Sequence, residues 1–456
     1  MDIENSVVKK KEPNIQFKNG VLSIIGASLI NFVYPSIFSF CTLAVYQTSY
    51  VKNHGGNVNI NYTMFYYPVV LFFQSIFGLI GGYINNKIEV HWSNFLGTFL
   101  VILGSFIGYI SESFILDMIS MAVFGISLGV IMFPATMNAC KYFMKHIGLV
   151  NGIVETAISL GSTFYAFIGE RIINPDEIPS RDEDNFYDDY IDKNVKTFFV
   201  VQMLSALTVF LIGLIIIKKY NEEIYINVQE RLLYLTKSED NANNEIKVVK
   251  NILTRKQKLI KALKSWKFWR FNLISLSQSP ISDMVFSMYR GIGESHEINQ
   301  TALQLIGTLN FIIEFILSFV FGVLCDYVNF KILLFIMNII GTIVGCTYCL
   351  TFNDSFFFAL LTLSISVQSA AYYSLKDYHI MKVFGTDIYI DLSGFVCLFT
   401  GITVIILTFI TYWVEEVLVE KNKAYWIMFT IFGGINGLGV ILGFFEDDEP
   451  FDYGEN

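Results

Sequence analysis

The stretch that decides the fold is GVLCDYVNFK at residues 322–331, which follows a long apolar run. It begins with a glycine and has an aliphatic residue two positions later and an acid four positions later. A second copy, GYINNK at residues 82–87, follows an earlier apolar run and has Asn86 in place of the acid. Glycine lets two helices touch, and a polar residue can pair with the end of a neighbouring helix. Two copies at corresponding places predict a chain built from two related halves.

The long apolar runs around both copies predict membrane-spanning helices. Of the 456 residues, 54% are hydrophobic and only 16% are charged, whereas soluble domains carry about 25% charged residues. One span needs about 20 apolar residues. Runs of that length predict an all-α membrane protein with twelve transmembrane helices in two six-helix bundles, at 20–49, 62–85, 92–111, 114–140, 147–172, 196–218, 266–290, 301–326, 330–351, 355–377, 388–414 and 423–445.

The same runs divide the chain into segments, and the cations between them predict its orientation. Lys and Arg, among them Lys376 and Lys382, are concentrated in alternate loops between the predicted spans. Cytoplasmic loops carry an excess of Lys and Arg, so this distribution predicts that both termini are cytoplasmic. The segment at 219–265 is interpreted as a connector along the inner membrane face, with a regulatory or lipid-sensing role as the alternative. We expect a cytoplasmic N-terminal tail at 1–19, an N-terminal bundle at 20–218, a cytoplasmic linker at 219–265, a C-terminal bundle at 266–445 and an acidic cytoplasmic tail at 446–456.

The paired loops resemble the G-x-L-x-D-R loop that occurs once in each half of the major facilitator superfamily. The pattern Gly125-x-x-x-Gly129-x-x-x-x-Pro134, with Gly161 further on, is similar to the monocarboxylate and oxalate:formate antiporter branch of that superfamily. The resemblance implies the major facilitator fold, with twelve helices around a cavity and alternating access to one site. It also implies an inner gate, to which we assign Gly82, Asn86, Lys87, Gly322, Asp326, Lys331, Lys382 and Asp391.

The sequence departs from that branch at the position that holds the substrate. Branch members usually place a cation in the eighth span, where it binds a carboxylate. Matching through Gly322 puts Ser318 at that position and Glu314 one turn earlier. We therefore expect a secondary active transporter of a small organic solute. By resemblance the solute is a monocarboxylate-type metabolite, and the alternatives are an amino acid, a cationic metabolite or a vitamin-like acid.

Ionisable groups inside the predicted spans are functional candidates, because a charge in hydrocarbon is costly unless it is paired or hydrated. Glu314 and Asp283 are expected to line the cavity and to carry a proton or bind a cationic group; the alternative is that they hydrogen-bond polar neighbours and hold helices together. Tyr34 precedes Pro35, which predicts a kink in the first span. The candidates for substrate or proton binding are Glu314, Asp283, Ser318, Asn310, Tyr34, Tyr46 and Glu155.

Other classes of function lack a supporting pattern. The five histidines have no metal-ligand spacing, and no glycine-rich loop is placed to hold a phosphate. We therefore expect no enzyme activity, no catalytic residue, no metal and no cofactor. The net charge of -9 offers no basic surface for nucleic acid. The expected partners are a solute, a proton and membrane lipid, around a monomer in the plasma membrane or an organelle membrane. A non-transporting sensor or scaffold is the second hypothesis.

Overall fold

The computed structural model describes residues 2–85, 90–176, 178, 186–220, 253–352, 354–417, 421–446 and 449–453. The described residues form α-helices and three short 3-10 segments. Asn86 and Lys87 of the first loop copy lie outside them, as does most of the predicted linker. The α-helices are α1 (Asp2–Val33), α2 (Phe40–Asn53), α3 (Tyr66–Asn85), α4 (Val90–Ile110), α5 (Phe114–Tyr142), α6 (Ile147–Ile173), α7 (Asp189–Asp192), α8 (Val195–Ile216), α9 (Arg255–Lys264), α10 (Trp266–Ser295), α11 (Gln300–Tyr327), α12 (Phe330–Thr347), α13 (Ser355–Phe384), α14 (Tyr389–Val417) and α15 (Lys421–Gly443).

These helices give the predicted twelve spans. Ten helical segments of the described chain are long and apolar enough to cross a membrane. The first span is divided instead, because α1 and α2 are joined by a 3-10 segment at Tyr34–Ser39. This segment begins at the Tyr34–Pro35 pair, where the sequence predicts a kink. The seventh span is α10, whose charged residues lower its mean hydropathy. The all-α fold with two six-helix bundles is confirmed.

Two helices run well past their predicted bounds. Helix α1 begins at Asp2, ahead of the span expected from residue 20. Helix α13 continues to Phe384, beyond the end expected at residue 377. A helix satisfies its own backbone groups and does not have to end where the apolar run ends. The extension of α13 brings residues that were expected in a loop into the second bundle.

Glycines bring the two halves into backbone contact along two helix pairs. A Cβ atom on Gly152 of α6 would lie 2.7 Å from the Cα of Gly322 of α11. A Cβ atom on Gly394 of α14 would lie 2.8 Å from the Cα of Leu79 of α3. Small residues permit such close approach of helices in a membrane. The halves are therefore joined along α6–α11 and α3–α14, and the space between these pairs is the centre of the molecule.

Buried polar side chains are paired within each half. In the first half, the Asp117 carboxylate accepts hydrogen bonds from Gln47 Nε2 at 2.6 Å and the Tyr66 hydroxyl at 2.8 Å. In the second half, Gln278 Nε2 donates to Asn338 Oδ1 at 2.9 Å. Internal partners of this kind are the ordinary requirement for polar groups at membrane depth. Asp117 is thus a structural residue of the first bundle.

The glycine contact predicts a sharp difference between two glycine substitutions. A methyl group at Gly322 would meet the backbone of Gly148 and Gly152, so Gly322→Ala must separate α6 from α11. Overpacking of this kind costs about 1–3 kcal/mol, and we expect the Tm of the purified protein to fall by a few degrees. The matched control is Gly434→Ala in α15, where an added Cβ meets nothing within 4 Å. Equal Tm values for the two variants would contradict the close α6–α11 contact.

Candidate functional site

A cavity lies between the two halves. Its walls come from α3, α5 and α6 of the first half and α10, α11, α13 and α14 of the second. The space between the lining side chains amounts to about 1010 Å³, counted up to its open side. Four of the candidates drawn from the sequence line it: Glu155, Asp283, Glu314 and Ser318.

The other three candidates lie away from this cavity. The Tyr34 hydroxyl is hydrogen-bonded to a threonine of α4 inside the first half. The Tyr46 ring packs against the Tyr187 ring, with centroids 4.5 Å apart. Asn310 Oδ1 accepts a hydrogen bond at 2.6 Å from a serine of α13. Each of these side chains is buried by its neighbours, and we interpret all three as structural.

The two acids of the second half face the cavity with one hydrogen-bond donor each. Glu314 Oε1 accepts from the Ser369 hydroxyl at 3.0 Å. Asp283 Oδ1 accepts from the Tyr67 hydroxyl at 3.4 Å, a contact that joins the two halves. An ionised carboxylate offers about four acceptor sites, so both acids retain capacity toward the cavity. Within the described ranges, no group of three or more His, Cys, Asp and Glu side chains is arranged to hold a metal ion.

Lys376 also lines the cavity, which corrects its assignment to an inner loop. Because α13 continues to Phe384, Lys376 lies about 12 Å before the end of the helix. Its side chain is only 3% exposed, and Nζ lies 5.8, 5.6 and 5.3 Å from the ring centroids of Phe133, Tyr372 and Tyr373. Aromatic faces attract a cation at these distances. The tenth span therefore places a cation in the cavity, whereas the resemblance implies one in the eighth span.

The polar surroundings of Lys376 are sparse. Its Nζ lies 3.7 Å from Asp377 Oδ1 and 3.8 Å from Cys397 Sγ. The first distance exceeds that of an ordinary hydrogen bond between nitrogen and oxygen, and the second is a hydrogen bond to sulfur. Glu155 of α6 interacts electrostatically with both Lys376 and Asp377. Lys376 thus brings a positive charge to a cavity that also contains carboxylates.

The sequence did contain a signal for Lys376. The pair Lys376–Asp377 looks like the polar end of an apolar run. However, Ile380, Met381 and Phe384 follow it at helical spacing. Extending the helix through these residues would have placed the lysine inside the bundle.

The acid of the second loop copy connects the halves at one end of the cavity, which we call the motif end. Asp326 accepts hydrogen bonds from the backbone N–H groups of Gly148 at 3.0 Å and Leu149 at 2.8 Å. These N–H groups lie at the start of α6, in the other half. Asp326 and Gly322 therefore act together in the contact expected of an inner gate.

The remaining gate candidates make contacts within their own half or fall outside the described residues. Lys331 Nζ lies 5.8 Å from the Phe444 ring centroid, and Lys382 Nζ lies 5.1 Å from that of Tyr378. Asp391 Oδ2 accepts from Arg255 Nη2 of α9 at 2.7 Å. Gly82 lies near the end of α3, whereas Asn86 and Lys87 are not described. Asp391 thus holds the end of the predicted linker against the second bundle.

Aromatic side chains join the halves at the opposite end of the cavity. The Phe65 ring centroid lies 5.4 Å from those of Phe409 and Tyr412, and the Tyr62 ring packs against Tyr412 at 6.2 Å. Phe65 and Tyr62 precede α3, while their partners lie on α14. The two halves therefore touch at both ends of the cavity.

The predicted acidic tail is anchored by a buried carboxylate. Glu446 Oε2 lies 2.5 Å from Arg270 Nε, and Oε1 lies 3.2 Å from His379 Nε2. The His379 ring stacks between Phe271 and Phe330, with centroids 4.3 and 4.4 Å away. The side chain of Glu446 is fully buried. The chain after α15 therefore packs against the second bundle at this residue.

Comparison with known proteins agrees with this architecture. The family model described as Major Facilitator Superfamily matches residues 272–456. The proton:xylose symporter XylE bound to 6-bromo-6-deoxy-D-glucose superimposes with a TM-score of 0.66 at 14% identity, over 93% of this chain and 94% of that chain. The transporter FucP in the outward conformation superimposes with a TM-score of 0.64 at 13% identity, over 94% and 99%.

The chain has the major facilitator fold. A D-xylose-proton symporter matches equally well, with a TM-score of 0.66 at 13% identity over 94% of this chain and 97% of that chain. No curated protein sequence matches the chain. In the major facilitator fold the two halves surround a site near the middle of the membrane. In this chain, Asp283, Glu314 and Lys376 line the cavity between the halves.

The Asp326 contact predicts which variant opens the motif end. Asp326→Ala removes the acceptor for two N–H groups of the other half. Loss of such a cap costs about 1 kcal/mol, which raises the population that is open at the motif end about fivefold. We expect a membrane-impermeant maleimide, applied to the membrane side at the motif end, to label Cys397, which lines the cavity, about fivefold faster. The experiment uses a protein in which the other five cysteines are replaced, so that Cys397 is the single cysteine.

The matched control for that experiment is Asp354→Ala. Asp354 accepts hydrogen bonds from two N–H groups at the start of its own helix, α13. Its loss changes no contact between the halves, and the labelling rate should stay at the parent value. If Asp326→Ala also leaves the rate unchanged, the Asp326 contact does not close this end.

Proposed function

We propose that the protein is a secondary active transporter of the major facilitator superfamily, which moves a small organic solute across a membrane by alternating access. The observation that carries the proposal is the charged cavity between two halves that touch at both of its ends. The family match over residues 272–456 supports the assignment. In this proposal the protein is a monomer with both termini in the cytoplasm, and the predicted segment boundaries are those of its tails, bundles and linker.

Alternating access follows from the different chemistry at the two ends. The motif end is held by glycine backbone contacts and by two hydrogen bonds to Asp326. The opposite end is held by the packing of aromatic rings around Phe65 and Tyr412. Rocking of one half against the other breaks one set of contacts while it keeps the other. The solute then reaches the same site from either side in turn.

Proton coupling is assigned to Glu314. Its carboxylate lies at membrane depth, lines the cavity and accepts a hydrogen bond from Ser369. An acid in such a place is costly when ionised and unpaired, so it can take up a proton as the cavity closes. Solved structures that share the fold include proteins named as proton symporters, so the fold is compatible with proton coupling.

A carboxylate-bearing solute is the substrate class that we favour. The resemblance to the monocarboxylate and oxalate:formate antiporter branch points to it, and Lys376 supplies a cation that can bind a carboxylate. The sugars named for the structural neighbours are not transferred, because the identity of 13–14% concerns the fold alone. A sensor or scaffold remains the competing class, and it differs from a transporter in moving no solute.

Glu314→Gln should impair proton coupling and leave movement of the solute intact. The amide keeps the shape of the side chain and removes its ability to exchange a proton. In proteoliposomes we expect uptake driven by a pH gradient to fall more than tenfold, while counterflow of the same solute at equal pH persists. A mixed panel of labelled monocarboxylates, amino acids and hexoses identifies the solute to follow.

The control for this test is Glu112→Gln, at a carboxylate that is 62% exposed and 3.7 Å from Lys196. It should retain both the driven uptake and the counterflow. An unchanged pH dependence in the Glu314→Gln protein would refute the role of Glu314. Absence of counterflow for every member of the panel in the parent protein would favour the sensor or scaffold.

A further inference from the structure

We propose that the central cavity binds a small zwitterion, with its carboxylate at Lys376 and its ammonium group at Asp283. This inference rests on the transport function proposed above and names the charge pattern of the solute. It requires one site of each sign in the same cavity, within reach of a single small molecule.

The positive site is the Lys376 ammonium group, which lines the cavity while its ion-pair partner Asp377 does not. Asp377 is the next residue along α13, lies 3.7 Å from Nζ and is not part of the cavity lining. Instead, the rings of Phe133, Tyr372 and Tyr373 surround the ammonium group. The ion pair with Asp377 is long, at 3.7 Å, so a carboxylate that arrives from the cavity can approach Nζ more closely and offset more of its desolvation cost. Lys376 therefore supplies the point of attachment for an anionic group.

The negative site is Asp283 of α10. Its recorded donor is the Tyr67 hydroxyl at 3.4 Å, a long hydrogen bond that leaves most of its acceptor capacity unused. An ammonium group has three donors and no acceptor. It can bind the carboxylate and stay beside the Tyr67 hydroxyl, so a bound solute would touch both halves. Glu314 is left to carry the proton.

The two sites line the same cavity. Tyr373 lines it too and interacts electrostatically with Asp283, Lys376 and Glu314. The lysine side chain also leans toward the start of α13, because side chains of a helix tilt toward its N-terminus. This tilt places Nζ over Tyr372 and Tyr373, four and three residues earlier. The positive and negative sites thus both interact with Tyr373 in the cavity lining.

Solutes with other charge patterns satisfy the cavity less well. A simple monocarboxylate pairs with Lys376 and leaves Asp283 without a cation. A simple amine pairs with Asp283 and brings no carboxylate to Lys376. A sugar pairs with neither, and each uncompensated buried charge is costly. A zwitterion neutralises both sites in one binding event.

The test uses sets of solutes that share a carbon skeleton and differ only in charge. Three sets are leucine with isocaproate and isoamylamine, phenylalanine with hydrocinnamate and phenethylamine, and gamma-aminobutyrate with butyrate and propylamine. Xylose serves as the neutral probe. Binding to the purified full-length protein is measured as a rise in Tm and as a Kd by titration calorimetry. We expect a zwitterion to bind at least about thirtyfold more tightly than both of its single-charge relatives.

Two substitutions should shift this preference in opposite directions. Lys376→Met removes the positive site, so the zwitterion should lose its advantage over the matching amine. Asp283→Asn removes the negative site, so the zwitterion should lose its advantage over the matching acid. A substitution that only loosens the fold would weaken all members of a set alike. The controls are Lys264→Met on the exposed side of α9 and Asp176→Asn in an exposed loop, and both should keep the parent preference.

The outcomes separate this inference from the transport proposal. Binding or counterflow of acids, amines or xylose, with no preference for a zwitterion, overturns the zwitterion and leaves transport standing. Equal losses across a set in the Lys376→Met and Asp283→Asn proteins also overturn it. A parent protein that neither binds nor moves any probe contradicts both proposals. A zwitterion preference that shifts in opposite directions in the two variants supports both.

Discussion

The cost of placing a charge in hydrocarbon is the constraint on which the rest of this structure depends. Asp283, Glu314 and Lys376 lie at membrane depth, and all three turn toward the central cavity. No single six-helix bundle encloses them. The second bundle carries all three, and the first bundle supplies the opposite wall, including Tyr67 and Phe133. Contact between the two halves therefore shields these charges from lipid.

The halves meet without filling the space between them. At the motif end, Gly152 and Gly322 allow contact between backbones, so α6 and α11 approach closely without large side chains. Around the cavity the lining residues are larger and carry hydroxyl groups, rings and charges. Helices α6 and α11 thus carry small residues where they touch and larger or charged side chains where they line the cavity. This division lets one pair of helices serve both closure and binding.

Much of the fold follows from the sequence, because lipid imposes the apolar runs that reveal it. Glu314 and Asp283 were found from sequence for the same reason, since an acid within an apolar run stands out. Lys376 was missed because a lysine followed by an acid resembles a loop. Tyr34 and Asn310 were misplaced for a different reason. When most faces of a helix are apolar, helical spacing does not reveal which side faces the cavity and which faces a neighbouring helix.

The Asp326 contact has a consequence for the energetics of movement. The first N–H groups of a helix have no acceptor within it, and the residue before α6 contributes no side-chain cap. Asp326 fills this role from the other half of the molecule. Separation at the motif end therefore uncaps α6, which costs about 1–2 kcal/mol until water replaces the carboxylate. In the proposed transport cycle, opening at the motif end therefore breaks a helix cap, which couples the stability of the first turn of α6 to the position of the gate.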